Sequence, residues 1–288
     1  MNDLNVNKNP GLFTRIEAIE PKLKGAEKKV VRFIEKNREE IIHLSITEVA
    51  ERSQTSESSV VRLCKRLGYK GFQDMKIHFA KEVISPEKQI HEVIEKDDDV
   101  LMVKKKIFQA NIQALYDSLE VCKDEQLVHA VNAIYNANLI EFYGTGGSGS
   151  VATDAQHKLL KLGIKSFAYN DSTLQSMSAS VLGENDVVIG ISHTGSNKEV
   201  LHAMKLAKET GATLICITSS SKSPITQISD IILQTASNET LFRTDAISSR
   251  IAQLTIIDIL VAALAIQNYD QSYSDLQKTR NSTTNKKI

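Results

Sequence analysis

The chain of 288 residues has no net charge to spare: 35 Lys and Arg stand against 35 Asp and Glu, so it is not a polycation as a whole. Any affinity for nucleic acid has to come from a local concentration of basic residues. Cysteine is scarce. Cys64, Cys122 and Cys216 lie far apart and form no CxxC pair, which excludes a zinc ligand set and a disulfide framework and points to a reducing, cytoplasmic compartment. The polar N-terminus has no apolar core of the secretory kind, so no signal peptide is expected. Long apolar runs are missing too. The longest, Ile251 to Ile266, is interrupted by Gln253, Thr255 and Asp258. It falls short of the ~20 residues a membrane span needs, so a buried or interface helix is expected and no membrane partner.

What is present is ordinary for a globular protein, with 41% apolar and 24% charged residues. The length suggests about two domains. After a polar stretch, residues 1–12, apolar residues recur at helical spacing from Phe13 to His43, with Val30, Ile34, Ile41 and Ile42 on one face. Pro21 and Gly25 break this region, and a longer helix starts near Ala26. Residues 45–68 read as a helix-turn-helix. Thr47 caps a short helix that ends near Ser53, Gln54-Thr55 makes the turn, and Ser56 caps a second helix, Glu57 to Leu67, closed by Gly68. Gln54 falls where such turns call for positive φ. Val60, Leu63, Cys64 and Leu67 form the inner stripe of the second helix, and Ser58, Ser59, Arg62, Lys65 and Arg66 fall outside it. From Ser58 to Lys81 there are six basic residues, Lys70 among them, against one acid, Asp74. A basic patch on a second helix is the footprint of major-groove binding with phosphate contacts. The DNA-facing set is therefore Ser56, Ser58, Ser59, Arg62, Lys65, Arg66 and Lys70.

Phe72 to Ile84 is a further amphipathic helix, and Ser85-Pro86 breaks the pattern. The expected organisation is an all-α helix-turn-helix domain over residues 1–84, a linker over 85–100, an α/β domain over 101–270 and a polar, partly disordered tail over 271–288. In the second domain, two helical patterns over Val100 to Ala137 lead to strands at Leu139–Tyr143, Ser166–Tyr169, Asp186–Ile191, Ala212–Thr218 and Asp230–Leu233, with helices between them. Strands rich in Val and Ile that alternate with helices mean a parallel sheet flanked by helices on both faces. A last apolar helix is expected at about Ala246 to Ile266.

Two turns at the carboxyl ends of strands carry small hydroxyl residues: Gly144-Thr145-Gly146-Gly147-Ser148-Gly149-Ser150 and Ser192-His193-Thr194-Gly195-Ser196-Asn197. Each precedes a helix, whose free N–H groups and positive dipole end suit an anion, most readily a phosphate. Gly195, lacking Cβ, lets a ligand approach the backbone. The first turn can be aligned with G-x-G-x-x-G, and Asp171 stands where an acid could hold a ribose. A second Ser/Thr turn, however, fits a small phosphorylated ligand and not a dinucleotide. No P-loop lysine follows either turn, which argues against nucleotide hydrolysis. His157, His193, His202, Glu141, Glu199 and Glu239 are the available bases for an isomerase, but each has a plain structural reading. No catalytic residue, metal ligand or cofactor is expected.

Both halves together resemble the MurR/RpiR family of bacterial regulators, over nearly all of residues 10–270. The resemblance rests on Ser45 to Ala50, on the run Ser56 to Phe72 followed by Asp74-Met75-Lys76, on Gly144-x-Gly146-x-Ser148, on Ser192-x-Thr194-Gly195-x-Asn197-x-Glu199, and on Ser248 to Leu254 with Asp258. Gln54, Thr55, Thr194 and Asn197 depart from the family pattern. The C-terminal marks are those of the sugar isomerase (SIS) domain. The resemblance implies operator DNA and a phosphosugar effector as partners, control of sugar catabolism genes (amino sugars among them), and a homodimer or tetramer. It places the effector phosphate on Ser148, Ser192, Thr194 and Asn197, and Gly146, Gly147 and Gly195 of the same turns complete the expected phosphate site. The alternative is a phosphosugar isomerase or lyase with an accessory helical domain.

Overall fold

A computed structural model of the chain describes residues 11–20, 23–38, 40–42, 44–83, 94, 97–237 and 247–284. Pro21, His43, Ser85, Pro86, Glu239 and residues 1–10 and 285–288 lie outside the described residues. The chain divides into two compact units, Met1–Val93 and Ile94–Ile288.

The first unit is helical: α1 Leu12–Ile19, α2 Ala26–Lys36, α3 Ile46–Arg52, α4 Glu57–Arg66 and α5 Phe72–Val83. Their apolar faces meet in one core that includes Ile16, Val30, Ile34, Val49, Leu63 and Phe79. The cap of α3 differs from expectation. Ser45, not Thr47, is the N-cap: its side chain accepts from the Glu48 N–H at 3.2 Å, and the Glu48 carboxylate accepts from the Ser45 N–H at 2.8 Å. Thr47 is buried, and its hydroxyl donates to Glu57 Oε1 at 2.5 Å, tying α3 to the start of α4. Gln54 has φ +53, as its turn position required. Gly68, φ +87, ends α4, with Gly68 N–H bonded to Lys65 O and Tyr69 N–H to Cys64 O, both at 3.0 Å.

The second unit runs α6 Val100–Val121, α7 Asp124–Asn136, β1 Leu139–Tyr143, α8 Gly147–Lys161, β2 Ser166–Tyr169, α9 Ser172–Ala179, β3 Asp186–Ile191, α10 Lys198–Glu209, β4 Thr213–Thr218, α11 Pro224–Ile228, β5 Ile231–Gln234, α12 Ile247–Gln267 and α13 Tyr269–Thr284. The five strands are parallel, in the order β2-β1-β3-β4-β5. Ile140, Phe142, Ile189 and Ile215 pack against α8 and α12 through Val151, Ala155, Ile256 and Leu260. Val188, Leu214 and Cys216 pack on the opposite face against Ala203, Met204 and Ile225. The chain leaves β1 toward β2 on one side and returns to β3 on the other, so the loops after β1 and β3 diverge. In an open α/β sheet this is where a ligand crevice forms.

Two further expectations change. Alone among the described residues, the segment Ser248–Gln267 is long and apolar enough to cross a membrane. It nevertheless covers the sheet, with Ala252, Ile256, Ile257, Leu260 and Leu264 in the core. The C-terminal stretch expected as a partly disordered tail is helical to Thr284. Its polar surface is braced within the helix, where Gln271 and Lys278 both donate to Asp275, at 2.7 and 2.8 Å. Ser272 is buried, and the helix packs against α8 and α12.

Candidate ligand crevice and nucleic-acid interface

The first wall of the crevice is the turn from Gly144 into α8. Gly146, φ +56, precedes the helix without any side-chain cap, so the leading N–H groups of α8 are left for another acceptor. Gly144 and Gly149 are needed for packing. A Cβ on Gly144 would lie 2.7 Å from Ser148 O, and one on Gly149 2.8 Å from Asn170 Oδ1. Gly147 and Ser148 are half-buried, and the Ser148 hydroxyl has no partner among the described residues.

The second wall is the turn after β3. Ser192 extends the strand, its N–H donating to Ile217 O at 3.0 Å. It is 6% exposed, and its hydroxyl is likewise without a partner among the described residues. Thr194 Oγ1 accepts from the Ser196 N–H at 3.3 Å. Gly195 has φ +64, and a Cβ there would lie 2.1 Å from Ser223 Oγ. The space on the Cβ side of Gly195 is thus taken by Ser223, so packing within the chain is itself a reason for glycine there. Asn197 is the N-cap of α10: its Oδ1 accepts from the N–H groups of Glu199 and Val200, each at 3.0 Å. Its oxygen is therefore committed to the helix, and its Nδ2 donates to Thr145 Oγ1 at 3.0 Å. That bond brings the two walls together.

Sequence reasoning missed Thr145 as a partner and missed the turn after β4 as a support. Three groups there donate to His193 O: the Ser219 N–H at 3.0 Å, the Ser219 hydroxyl at 2.7 Å and the Thr218 hydroxyl at 3.1 Å. The one cue in the sequence was the Ser-rich run before Pro224, the residue that opens α11.

The possible bases are dispersed. Asp171 caps α9 through the Leu174 N–H at 2.9 Å, so it is a helix cap and not a ribose ligand. Glu141 is 1% exposed and accepts from the Tyr143 and Ser178 hydroxyls, both at 2.5 Å. Burial, and then that carboxylate, push the Tyr143 phenol above its ordinary pKa. His157, His202 and Glu199 are exposed on helices. Glu239 lies outside the described residues.

In the helical unit, Ser56, Ser58, Arg62, Lys65, Arg66 and Lys70 are exposed. Ser58, Arg62, Lys65 and Arg66 line an open groove along α4. Ser59 departs from the expected set: it is 6% exposed, its Oγ lies 2.9 Å from Ser56 Oγ, and it accepts from Arg62 Nη2 at 3.4 Å. It braces the cap and Arg62 from below the surface. Of the remaining basic residues, Lys76 donates to Leu44 O at 2.7 Å.

Comparison with known proteins gives both halves a match. Residues 10–87 match the helix-turn-helix domain of the rpiR family, and residues 133–263 match the SIS domain. An uncharacterised HTH-type transcriptional regulator of Caldanaerobacter subterraneus is 40% identical over 263 residues, 91% of this chain and 93% of its own. The HTH-type transcriptional regulator RpiR of Escherichia coli K12 is 33% identical, over 82% of this chain and 79% of its own. Among solved structures, the Vibrio vulnificus NanR protein complexed with ManNAc-6P superposes with a TM-score of 0.82 at 27% identity, covering 96% of this chain and 99% of its own.

Proposed function

Because this chain belongs to the rpiR family of helix-turn-helix transcriptional regulators, we propose that a phosphosugar held between the turns 144–149 and 192–197 controls its attachment to operator DNA. The protein is a DNA-binding regulator and not an enzyme. The observation that carries the effector site is the pair of hydroxyls, Ser148 and Ser192, that have no partner among the described residues, at two turns that each lead into a helix and are joined by Asn197 and Thr145. A phosphate bound there would meet hydroxyl donors and free N–H groups from both sides. Gly146, Gly147 and Thr194 line the same turns. Gly195 and Asn197 act in this reading by shaping the turn and capping α10.

Residues 1–84 carry DNA binding, 85–100 connect, and 101–270 sense the sugar phosphate. The DNA-facing residues are Ser56, Ser58, Arg62, Lys65 and Lys70, and the regulated genes are those of sugar catabolism. A homodimer, or a tetramer built from dimers, doubles the few base contacts one helix-turn-helix offers, and it would read half-sites roughly 34–36 Å apart or a multiple of that. The compartment is the cytoplasm. The isomerase or lyase alternative leaves the helix-turn-helix without a task.

N-acetylmannosamine 6-phosphate, the ligand of the Vibrio protein, is the first compound to test. In a thermal-shift series it is compared with other hexose and amino-sugar phosphates and with N-acetylmannosamine lacking phosphate. A ligand at about 100 times its dissociation constant adds about 2.7 kcal/mol of stability. Stabilisation by one or more phosphosugars, and none by the phosphate-free sugar, is the expected result. A flat response to every phosphosugar would overturn the assignment of the crevice.

A further inference from the structure

The recognition helix does not present all its cations to solvent. Glu27, in the first turn of α2, carries a carboxylate whose side chain is only 7% exposed. Both of its oxygens face α4. Arg66 donates to Oε2 through Nη1, and Arg62 Nε lies 3.6 Å from Oε1. Arg62 and Arg66 are one helical turn apart, so one carboxylate reaches both. Arg62 is held a second time, by Ser59 Oγ. The two arginines differ in what remains to them: the Arg62 side chain is 61% exposed and that of Arg66 38%.

A buried carboxylate is costly unless it is paired. A DNA phosphate that drew Arg66 away would leave Glu27 buried with half its partners gone. The N-terminal end of α2 favours the ionised acid, but it does not replace a guanidinium. Arg66 is therefore the group that the fold keeps, and Arg62, tethered at Nε and Nη2, is the group it aims.

We propose that Glu27 is a positioning residue for DNA recognition, which withholds Arg66 from the phosphates and fixes Arg62 in a single presentation. This rests on α4 being the DNA-reading helix. The arrangement gives up non-specific attraction for discrimination, because a guanidinium with one orientation distinguishes base edges and a freely moving one only neutralises phosphate.

The test uses the full-length protein and two duplexes: the one most enriched by the wild type from a random-sequence library, and the unselected library itself. Affinity for each is measured by fluorescence anisotropy across a salt series. The logarithm of affinity falls against the logarithm of salt with a slope of about −0.9 per phosphate contacted. In Glu27→Gln the slope should steepen by about 0.9 for each arginine released, and preference for the selected duplex should fall about tenfold. Arg66→Gln, whose amide can still donate toward Glu27, should leave the wild-type slope as it is. A structural role alone would not move the slope. The proposal is overturned if Glu27→Gln keeps both the slope and the preference of the wild type, or if Arg66→Gln flattens the slope by about 0.9. Where Glu27→Gln does not fold, Arg66→Gln alone decides. A wild type that enriches no sequence would overturn the reading of α4 instead, an outcome distinct from either.

Discussion

The Asn197 side chain donates from Nδ2 to Thr145 Oγ1 across 3.0 Å, while its Oδ1 caps α10. One amide thus both starts the second helix of the crevice and ties it to the turn that starts the first. Thr145→Val should remove the tie and leave the cap. The expected stability loss is that of one hydrogen bond, about 0.5–1.5 kcal/mol, together with a several-fold weaker grip on N-acetylmannosamine 6-phosphate. Asn197→Ala should lose about 1 kcal/mol more through the cap. Thermal melts and calorimetric titration of both variants check this, and unchanged ligand affinity in Thr145→Val would show that the tie does not organise the site.

Ser148→Ala and Ser192→Ala each remove one hydroxyl that has no partner among the described residues. A hydrogen bond to a charged oxygen contributes about 1.5–3 kcal/mol, so each variant should need tenfold or more additional phosphosugar for the same change in DNA affinity. DNA affinity without ligand should stay at the wild-type value. Anisotropy across a ligand titration measures both, and a wild-type midpoint in both variants would move the phosphate elsewhere.

The glycines at positive φ should separate by their surroundings. Gly146→Ala meets no atom within 4 Å, so its cost is the left-handed backbone alone, about 1–2 kcal/mol. Gly195→Ala adds a Cβ 2.1 Å from Ser223 Oγ and 2.6 Å from Ser223 Cβ, and overpacking adds about 1–3 kcal/mol. The melting temperature of Gly195→Ala should fall clearly below that of Gly146→Ala. Equal melting temperatures would mean that Ser223 gives way.

All three cysteines are buried. Burial pushes the Cys64 thiol up to about 12 and that of Cys216 to about 11, and raises Cys122 as well. A thiol with a raised pKa holds little thiolate near neutral pH, and thiolate is the reactive form. At pH 8 the native protein should react only slowly with a thiol-disulfide reagent, and all three should react at once in guanidinium. Rapid native-state reaction of Cys64 would contradict its place in the helical core.

Arg62→Ala should weaken binding to the selected duplex and relax its sequence preference by about 1–3 kcal/mol at one position. Lys65→Ala, if it removes a phosphate contact, should weaken all duplexes alike and flatten the salt slope by about 0.9. A salt series on both variants separates the two roles.

Much of this architecture was legible from residue order, because the cues are local. A stripe at Val60, Leu63, Cys64 and Leu67 specifies a helix and its buried side whatever surrounds it, and all four are buried. The same holds for the Val/Ile strands, for Gly68 ending α4 and for the positive φ of Gln54. The hydroxyl turns were visible as well, since strand, turn and helix follow one another along the chain.

Other features were settled only by packing. Ser45 and Thr47 are both good caps by type, and the choice fell to Ser45 because Thr47 is turned inward onto Glu57, ten residues away. Ser59 lies off the apolar stripe, yet the Ser56 cap and Arg62 enclose it. The polarity of residues 271–288 suggested a loose tail, but the helix Tyr269–Thr284, whose polar groups pair along its own length, needs only a shallow resting place on α8 and α12. The tie of Asn197 to Thr145 spans 52 residues and that of Arg66 to Glu27 spans 39. Periodicity reports the turn of one helix or the pleat of one strand. Which distant side chain fills the space beside Gly195, or receives the guanidinium of Arg66, is decided when the elements pack and each buried polar group must find the partner within reach.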